Sequence, residues 1–243
     1  MKNLETSKST ESKPKLSIFK TFKTKREELT GEAMRQRSII ANLATETKHM
    51  MNTRTSLSHK VAEKNNTIWQ NVYSGIFRDL DEILLPLGVV EEAGRLPLKR
   101  GPKALQEHGV PYYRLTESGM LVAASLDELK DERIKILKKF FENYDIKEEE
   151  FKEVILTLLN IMPNFVFALL KKYIEAYVDG RIDKLIPFNS NRLRYALDGT
   201  MAIYAELLEG YSTLTSSDRE SVISFFRSHL SPNIKILTQK KSY

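Results

Sequence analysis

The chain has 243 residues, of which 41% are hydrophobic and 29% charged, with no cysteine and a formal net charge of +6. That length suits two compact domains or one large one, and the balance excludes a chain disordered throughout. The lack of cysteine excludes disulfides, cysteine–zinc sites, iron–sulfur clusters and thiol nucleophiles.

The positive excess is unevenly placed. Residues 1–30 carry 8 Lys/Arg against 4 Asp/Glu, residues 31–126 carry 12 against 10, and residues 127–243 carry 18 against 18. A polyanion is the natural partner of the basic half, although a soluble basic surface has the same composition. The polar start has no apolar core of a signal peptide. The run from Ile155 to Leu170 is shorter than the ~20 residues a bilayer requires and contains Asn160, Pro163 and Asn164. It reads as two buried helices meeting at Pro163. The expectation is a cytoplasmic protein, nucleoid-associated if it binds DNA, with no membrane partner.

In chain order, residues 1–24 read as a flexible basic tail. From Lys25 a helical period begins, with Met34, Ile39, Ile40, Leu43 and Met50 spaced for one face. Leu57 to Lys64 suits a second helix, broken at Asn65-Asn66. Thr67 opens a third, with Gln70 three residues on as a capping box. Its apolar stripe is Val72, Ile76, Leu80 and Ile83, with Trp69 and Tyr73 at the edge, and it stops near Pro86 with Gly88 at the exit. Val89-Val90 starts a strand. A connection rich in Gly and Pro follows, with room for one short turn from Lys103 to His108. Tyr112 to Thr116 has strand composition. Glu117-Ser118-Gly119 turns into another helix from Met120 to Leu126.

Beyond Asp127 the pattern is all helix: Asp127–Tyr144, Lys147–Met162, Asn164–Gly180, Ser190–Gly210 and Ser217–Leu230. Ser217 with Glu220 is a further capping-box pattern. Val154, Leu158, Phe165, Tyr195, Met201, Ile203, Tyr204 and Leu207 are expected in the core. The expected divisions are a tail over 1–24, one domain over 25–126, a helical domain over 127–231 and a tail over 232–243.

Three helices followed by a two-stranded hairpin is the winged helix-turn-helix order. "TIWQNVYSGIFRDLDEILLPLGVVEE" looks like a recognition helix turning into the first wing strand, and "YYRLTESG" resembles the returning strand with its exit into the next helix. Together they resemble transcriptional regulators of the MarR and PadR type, archaeal-looking ones especially, over residues 33–126. The loop of residues 95–111 is longer than is usual for such wings. The fold class this implies is mainly α, with an N-terminal winged helix-turn-helix, a two-stranded β wing and an all-α domain after it. The implied function is sequence-specific binding of double-stranded DNA, as a transcriptional regulator.

The residues suit that work independently. Thr67, Gln70, Asn71, Ser74 and Arg78 lie opposite the apolar stripe. Gln and Asn can bridge adenine, Arg can fork onto guanine, and Ser or Thr can take a base or a phosphate. An ordinary amphipathic helix with a solvated face has the same pattern. Asp79, Asp81 and Glu82 at the far end would be repelled by DNA, which leaves the N-terminal half for the groove. Arg95, Lys99, Arg100 and Lys103 fall within nine residues of loop with no acidic residue among them, and Arg114 lies on the returning strand. Such cations can neutralise phosphates. Of Tyr112 and Tyr113, one is expected on the core.

The neutral helical half is expected to form a homodimer, bind an effector, or do both. No effector is identified. His49, His59, His108 and His229 lack ligand spacing, and there is no H-E-x-x-H, Walker loop, G-x-G-x-x-G or G-x-S-x-G. Glu148-Glu149-Glu150 reads as a helix surface. No enzyme activity and no cofactor are therefore expected. The alternative is a winged helix that serves as a protein-interaction module in a larger assembly.

Overall fold

The computed structural model describes residues 14–25, 28–98, 103–197, 199–226 and 228. They fall into two compact units, the described residues up to 197 and those from 199 onward. The protein is mainly helical with one two-stranded antiparallel sheet.

The expected tail is in part a packed segment. Leu16 and Ile18 are buried, the Ser17 N–H donates to Gln36 Oε1 at 2.8 Å, and Arg37 Nη1 donates to the Ile18 carbonyl at 3.2 Å. Thr21 bridges to Leu29. Two apolar residues among lysines are too few to register in composition, but the backbone of Ser17 and Ile18 is tied down by Gln36 and Arg37 of the next helix. Residues 1–13 lie outside the described residues.

Helix α1 spans Gly31–Thr45, and its Thr30 cap accepts from the Ala33 N–H. It buries Ala33, Gln36, Arg37, Ile39, Ile40 and Leu43, while Met34 and Met50 face outward, unlike the expected stripe. Arg37 also donates to both carboxylate oxygens of Glu128, at 2.7 and 2.5 Å. Burial alone would raise the Glu128 carboxyl, but the Arg37 hydrogen bonds outweigh it and hold the group below its ordinary value. A 3-10 turn over His49–Asn52 leads to α2, Arg54–Lys64. Asn66 takes a left-handed backbone, φ +49, before α3, Trp69–Arg78. Helix α3 widens into a π-helical turn over Asp79–Leu84, and Gly88 at φ +64 reverses the chain into β1, Val90–Leu96.

A short helix α4, Lys103–His108, separates β1 from β2, Val110–Leu115. The strands pair antiparallel from Val90↔Leu115 to Leu96↔Val110, with a register shift between Glu92 and Gly94. Helix α5, Glu117–Ala124, follows at once. Thr116 accepts from the Gly119 N–H at 3.1 Å and donates to the Gly88 carbonyl. A Cβ on Gly119 would stand 2.0 Å from the Val89 carbonyl oxygen. The Leu-Thr-x-x-Gly motif thus closes the strand pair against the helix.

Every residue of α5 from Gly119 to Ala124 is buried. Helix α5 packs on α1 and β2 on one side and on α6, Arg133–Asn143, and α8, Pro163–Val178, on the other. The residues on both sides of 126/127 lie in the same compact unit, which runs to Leu197. Helix α7, Glu149–Ile161, meets α8 at Pro163 as expected. Phe188 sits among the rings of Phe140, Phe141, Phe151 and Tyr173, and the Tyr173 hydroxyl donates to the Leu185 carbonyl at 2.8 Å. Helix α9, Ser190–Leu197, closes this unit.

The second unit contains α10, Thr200–Thr213, and α11, Ser216–Phe225. The single expected helix from Ser190 to Gly210 is thus two. The α11 cap is Thr215, which accepts from the Asp218 N–H and donates to Asp218 Oδ2 at 2.6 Å, in place of Ser217 with Glu220. Neither helix has a buried residue. Ile203 and Leu207, like Val154 and Tyr195 of the first unit, are exposed and outside any core. The tail expected over 232–243 lies outside the described residues. Among the described residues, no helix is long and apolar enough to cross a membrane.

Candidate nucleic-acid interface

Helix α3 is amphipathic for a readable reason: Ile76 and Leu80 recur four apart and are fully buried, with Val72 and Ile83 partly covered beside them. Its start differs from expectation. Ile68 is the cap residue and supplies no side-chain bond, so the Thr67/Gln70 capping box does not form. The Thr67 N–H instead donates to the Ala62 carbonyl at 3.0 Å, which ends α2. Aromatic contacts hold this end of the helix, with Trp69 against His59 at 4.9 Å and edge-on to Tyr73 at 5.8 Å.

Thr67, Gln70, Asn71, Ser74 and Arg78 are all exposed. None has a side-chain hydrogen bond or ion pair with the described residues. Asn71, Ser74 and Arg78 follow Gln70 at offsets of 1, 4 and 8, which puts these four on one side of α3, while Thr67 lies ahead of the helix. Two apolar residues flank this polar face, Ile68 at 63% exposure and Phe77 at 46%. The guanidinium of Arg54 covers the Phe77 ring at 4.7 Å.

The acidic end is not what the residue types imply. Asp79 is turned inward with no exposed surface, and its Oδ2 accepts from Arg35 Nε at 2.8 Å. Arg35 reaches it across Gly75, where a Cβ would stand 2.7 Å from Nε. Burial raises the Asp79 carboxyl above its ordinary value despite this partner. Asp81 is paired with Arg54. Of the three carboxylates, Glu82 alone is both exposed and unpaired among the described residues.

The hairpin departs further. Arg95 donates to Glu92 at 2.7 Å, Arg114 to Glu91 at 2.6 Å, and Lys103 lies 3.8 Å from Glu107. These cations are exposed, but each has a carboxylate partner that the loop sequence alone does not suggest. Lys99 and Arg100 lie outside the described residues. Tyr113 packs inward, as expected of one of the pair, and burial raises its hydroxyl to about 12. Tyr112 stacks on His49 at 4.5 Å. No group of three or more His, Cys, Asp or Glu among the described residues is placed to hold a metal ion.

The chain matches no protein-family model, no curated protein and no solved structure. The geometry of α3 and the hairpin therefore carries the functional argument.

Proposed function

We propose that residues 31–124 act as a winged helix-turn-helix that binds double-stranded DNA in a sequence-specific way, as a transcriptional regulator. In this reading α3 enters a major groove and Gln70, Asn71, Ser74 and Arg78 address base edges, with Thr67 near a phosphate. Arg95, Arg114 and Lys103, with Lys99 and Arg100, contact the backbone. One observation carries the reading. Four polar side chains, those of Gln70, Asn71, Ser74 and Arg78, stand on one face of a helix whose opposite face is buried, and none has a hydrogen-bond or ion-pair partner among the described residues. Unspent hydrogen-bonding capacity on a rigid, packed helix suits an external ligand that has its own donors and acceptors.

Helices α10 and α11 support a homodimer in the same reading. They bury no residue of their own, and Ile203, Leu207 and Leu208 form an exposed apolar surface. Helices of this length are marginal without tertiary packing, and a second copy supplies it. Two recognition helices about 34–36 Å apart would then match successive major grooves.

Two observations favour a second reading, a protein-interaction module: the carboxylate partners of the hairpin cations and the exposed Ile68 and Phe77. Fluorescence anisotropy with duplexes selected from a random pool separates the two. Phosphate binding requires an affinity that falls log-linearly with salt. Arg78→Ala and Asn71→Ala should each weaken the selected duplex by about 1–3 kcal/mol without altering the fold. Unchanged affinity in both variants refutes the recognition-helix assignment. Absence of duplex binding at low salt refutes DNA binding altogether.

A further inference from the structure

We infer that Ile68 selects thymine: its side chain packs on the 5-methyl group of a thymine in the major groove, so the duplex that α3 addresses presents A·T pairs to the start of the helix. The inference rests on the DNA-binding reading and narrows it to a class of base pair.

The start of α3 is fixed on both sides of Ile68. The Thr67 N–H donates to the Ala62 carbonyl at 3.0 Å, and the Asn71 N–H donates to the Ile68 carbonyl at 3.0 Å. The next residue, Trp69, lies against His59 at 4.9 Å. Within that frame Ile68 has an extended backbone, φ −81 and ψ 133, and its side chain is exposed. Branching at Cβ restricts its rotamers, so little side-chain entropy is lost when a partner covers it. Apolar surface left in water is a gain in waiting for whatever buries it. Phe77, the other exposed apolar residue beside this polar face, is already engaged. The Arg54 guanidinium covers its ring at 4.7 Å and is itself paired with Asp81.

The neighbours of Ile68 decide what that partner is. Gln70 and Asn71 are exposed two and three residues further on. The major-groove edge of an A·T pair carries adenine N7, the adenine N6 amino group, thymine O4 and the thymine 5-methyl. An amide side chain such as Gln70 or Asn71 can bond the first two, and an aliphatic side chain at the same end of the helix meets the last. The edge of a G·C pair has no methyl to offer Ile68. One apolar and two amide side chains within four residues therefore complement A·T pairs better than G·C pairs. An apolar pocket on a protein partner is the competing occupant, and the test separates the two.

The probe is a duplex selected from a random pool, with each thymine of its constant motif replaced in turn by deoxyuridine. That change deletes the 5-methyl and keeps the hydrogen-bonding groups of the base. For the wild type, fluorescence anisotropy should show binding about fourfold weaker at one or two positions, the effect of burying one methyl group. In Ile68→Ala the thymine and deoxyuridine duplexes should bind equally, while Ile68→Val should keep part of the difference. Comparing the thymine-to-deoxyuridine ratios between proteins cancels any general effect of the substitution on the helix start. Circular dichroism verifies the fold, and Ile68→Val with the wild type decides if Ile68→Ala does not fold. A wild type that binds its duplex but is indifferent to every thymine methyl overturns the inference and leaves DNA binding standing. A selected motif without a constant A·T pair does the same, as does a discrimination that survives Ile68→Ala unchanged. A protein that binds no duplex at low salt overturns both readings and leaves Ile68 to a protein contact.

Discussion

The ion pair between Arg35 and Asp79 holds the end of α3 to α1, and its two halves should differ sharply in what their loss costs. Asp79 is fully buried and Arg35 is 20% exposed. Arg35→Ala strands a buried carboxylate, a loss of about 3–5 kcal/mol for a pair broken from one side. Asp79→Ala strands a guanidinium that water can reach, and should cost less, about 1–3 kcal/mol. Asp79→Asn keeps an acceptor for Arg35 Nε and removes the buried charge, so it should be the mildest. Acidity provides the check on sign. The Asp79 carboxyl is raised in the folded protein, mainly by burial, so the native state holds its proton more tightly than the unfolded chain does. Its contribution to stability is complete below the ordinary carboxylate value and is lost as pH rises through the raised one. Arg35→Ala raises the carboxyl further, and part of that variant's loss should return on acidification toward the ordinary carboxylate range. Urea unfolding at neutral and mildly acidic pH measures both effects. A loss below about 1 kcal/mol for Arg35→Ala at neutral pH refutes the reasoning, as does an equal loss at both pH values.

Gly119→Ala should destabilise by about 1–3 kcal/mol or more, because the new Cβ meets a backbone oxygen that can move only with the strand; thermal unfolding reads it. Ile18→Ala should cost about 2–5 kcal/mol in urea unfolding, as a core deletion does, and a loss near zero would restore the view of this segment as a tail. Tyr173→Phe should cost about 1 kcal/mol in the same assay, because it leaves the Leu185 carbonyl without its donor. If the proposed homodimer forms through α10, Leu207→Glu should leave the first unit folded and reduce the mass seen by light scattering from that of a dimer to that of a monomer. A dimer that survives this change removes α10 from the interface.

The sequence was most legible where a single period or motif dominates. The stripe of Ile76 and Leu80, the left-handed exit at Gly88 and the Leu-Thr-x-x-Gly closure each rest on local geometry, so α3 and the hairpin could be placed without the fold. What stayed hidden depends on partners distant in the chain. The pairing of Arg114 with Glu91 follows from strand register, and the burial of Asp79 follows from Arg35, 44 residues earlier. The packed segment around Ile18 was masked by its lysines. The residues on both sides of the boundary expected at 126/127 share one compact unit, and α5 is buried from Gly119 to Ala124. An all-round apolar helix belongs at the centre of a unit, and this was available from Met120 to Leu126. The two-helix second unit was misread because Ile203 and Leu207 have the spacing of core residues, and spacing does not say which surface, if any, covers them.

The paired cations of the hairpin allow one more discrimination. Exposed ion pairs contribute little net stability, so phosphates can replace Glu91 and Glu92 as partners of Arg114 and Arg95. During such an exchange the freed carboxylates remain close to the DNA and oppose it. Glu91→Gln and Glu92→Gln keep the side-chain length and delete that repulsion. If the hairpin grips a duplex, each change should tighten binding a few-fold, and the two together should tighten it further. The slope of log affinity against log salt should stay nearly constant, because the number of phosphates neutralised is unchanged. If the hairpin instead meets a protein through its carboxylates, the same variants should weaken that contact and leave duplex affinity where it was. Unchanged or weaker duplex binding in both variants, measured by anisotropy at two salt concentrations, would remove the hairpin from the DNA interface and leave α3 to bind alone.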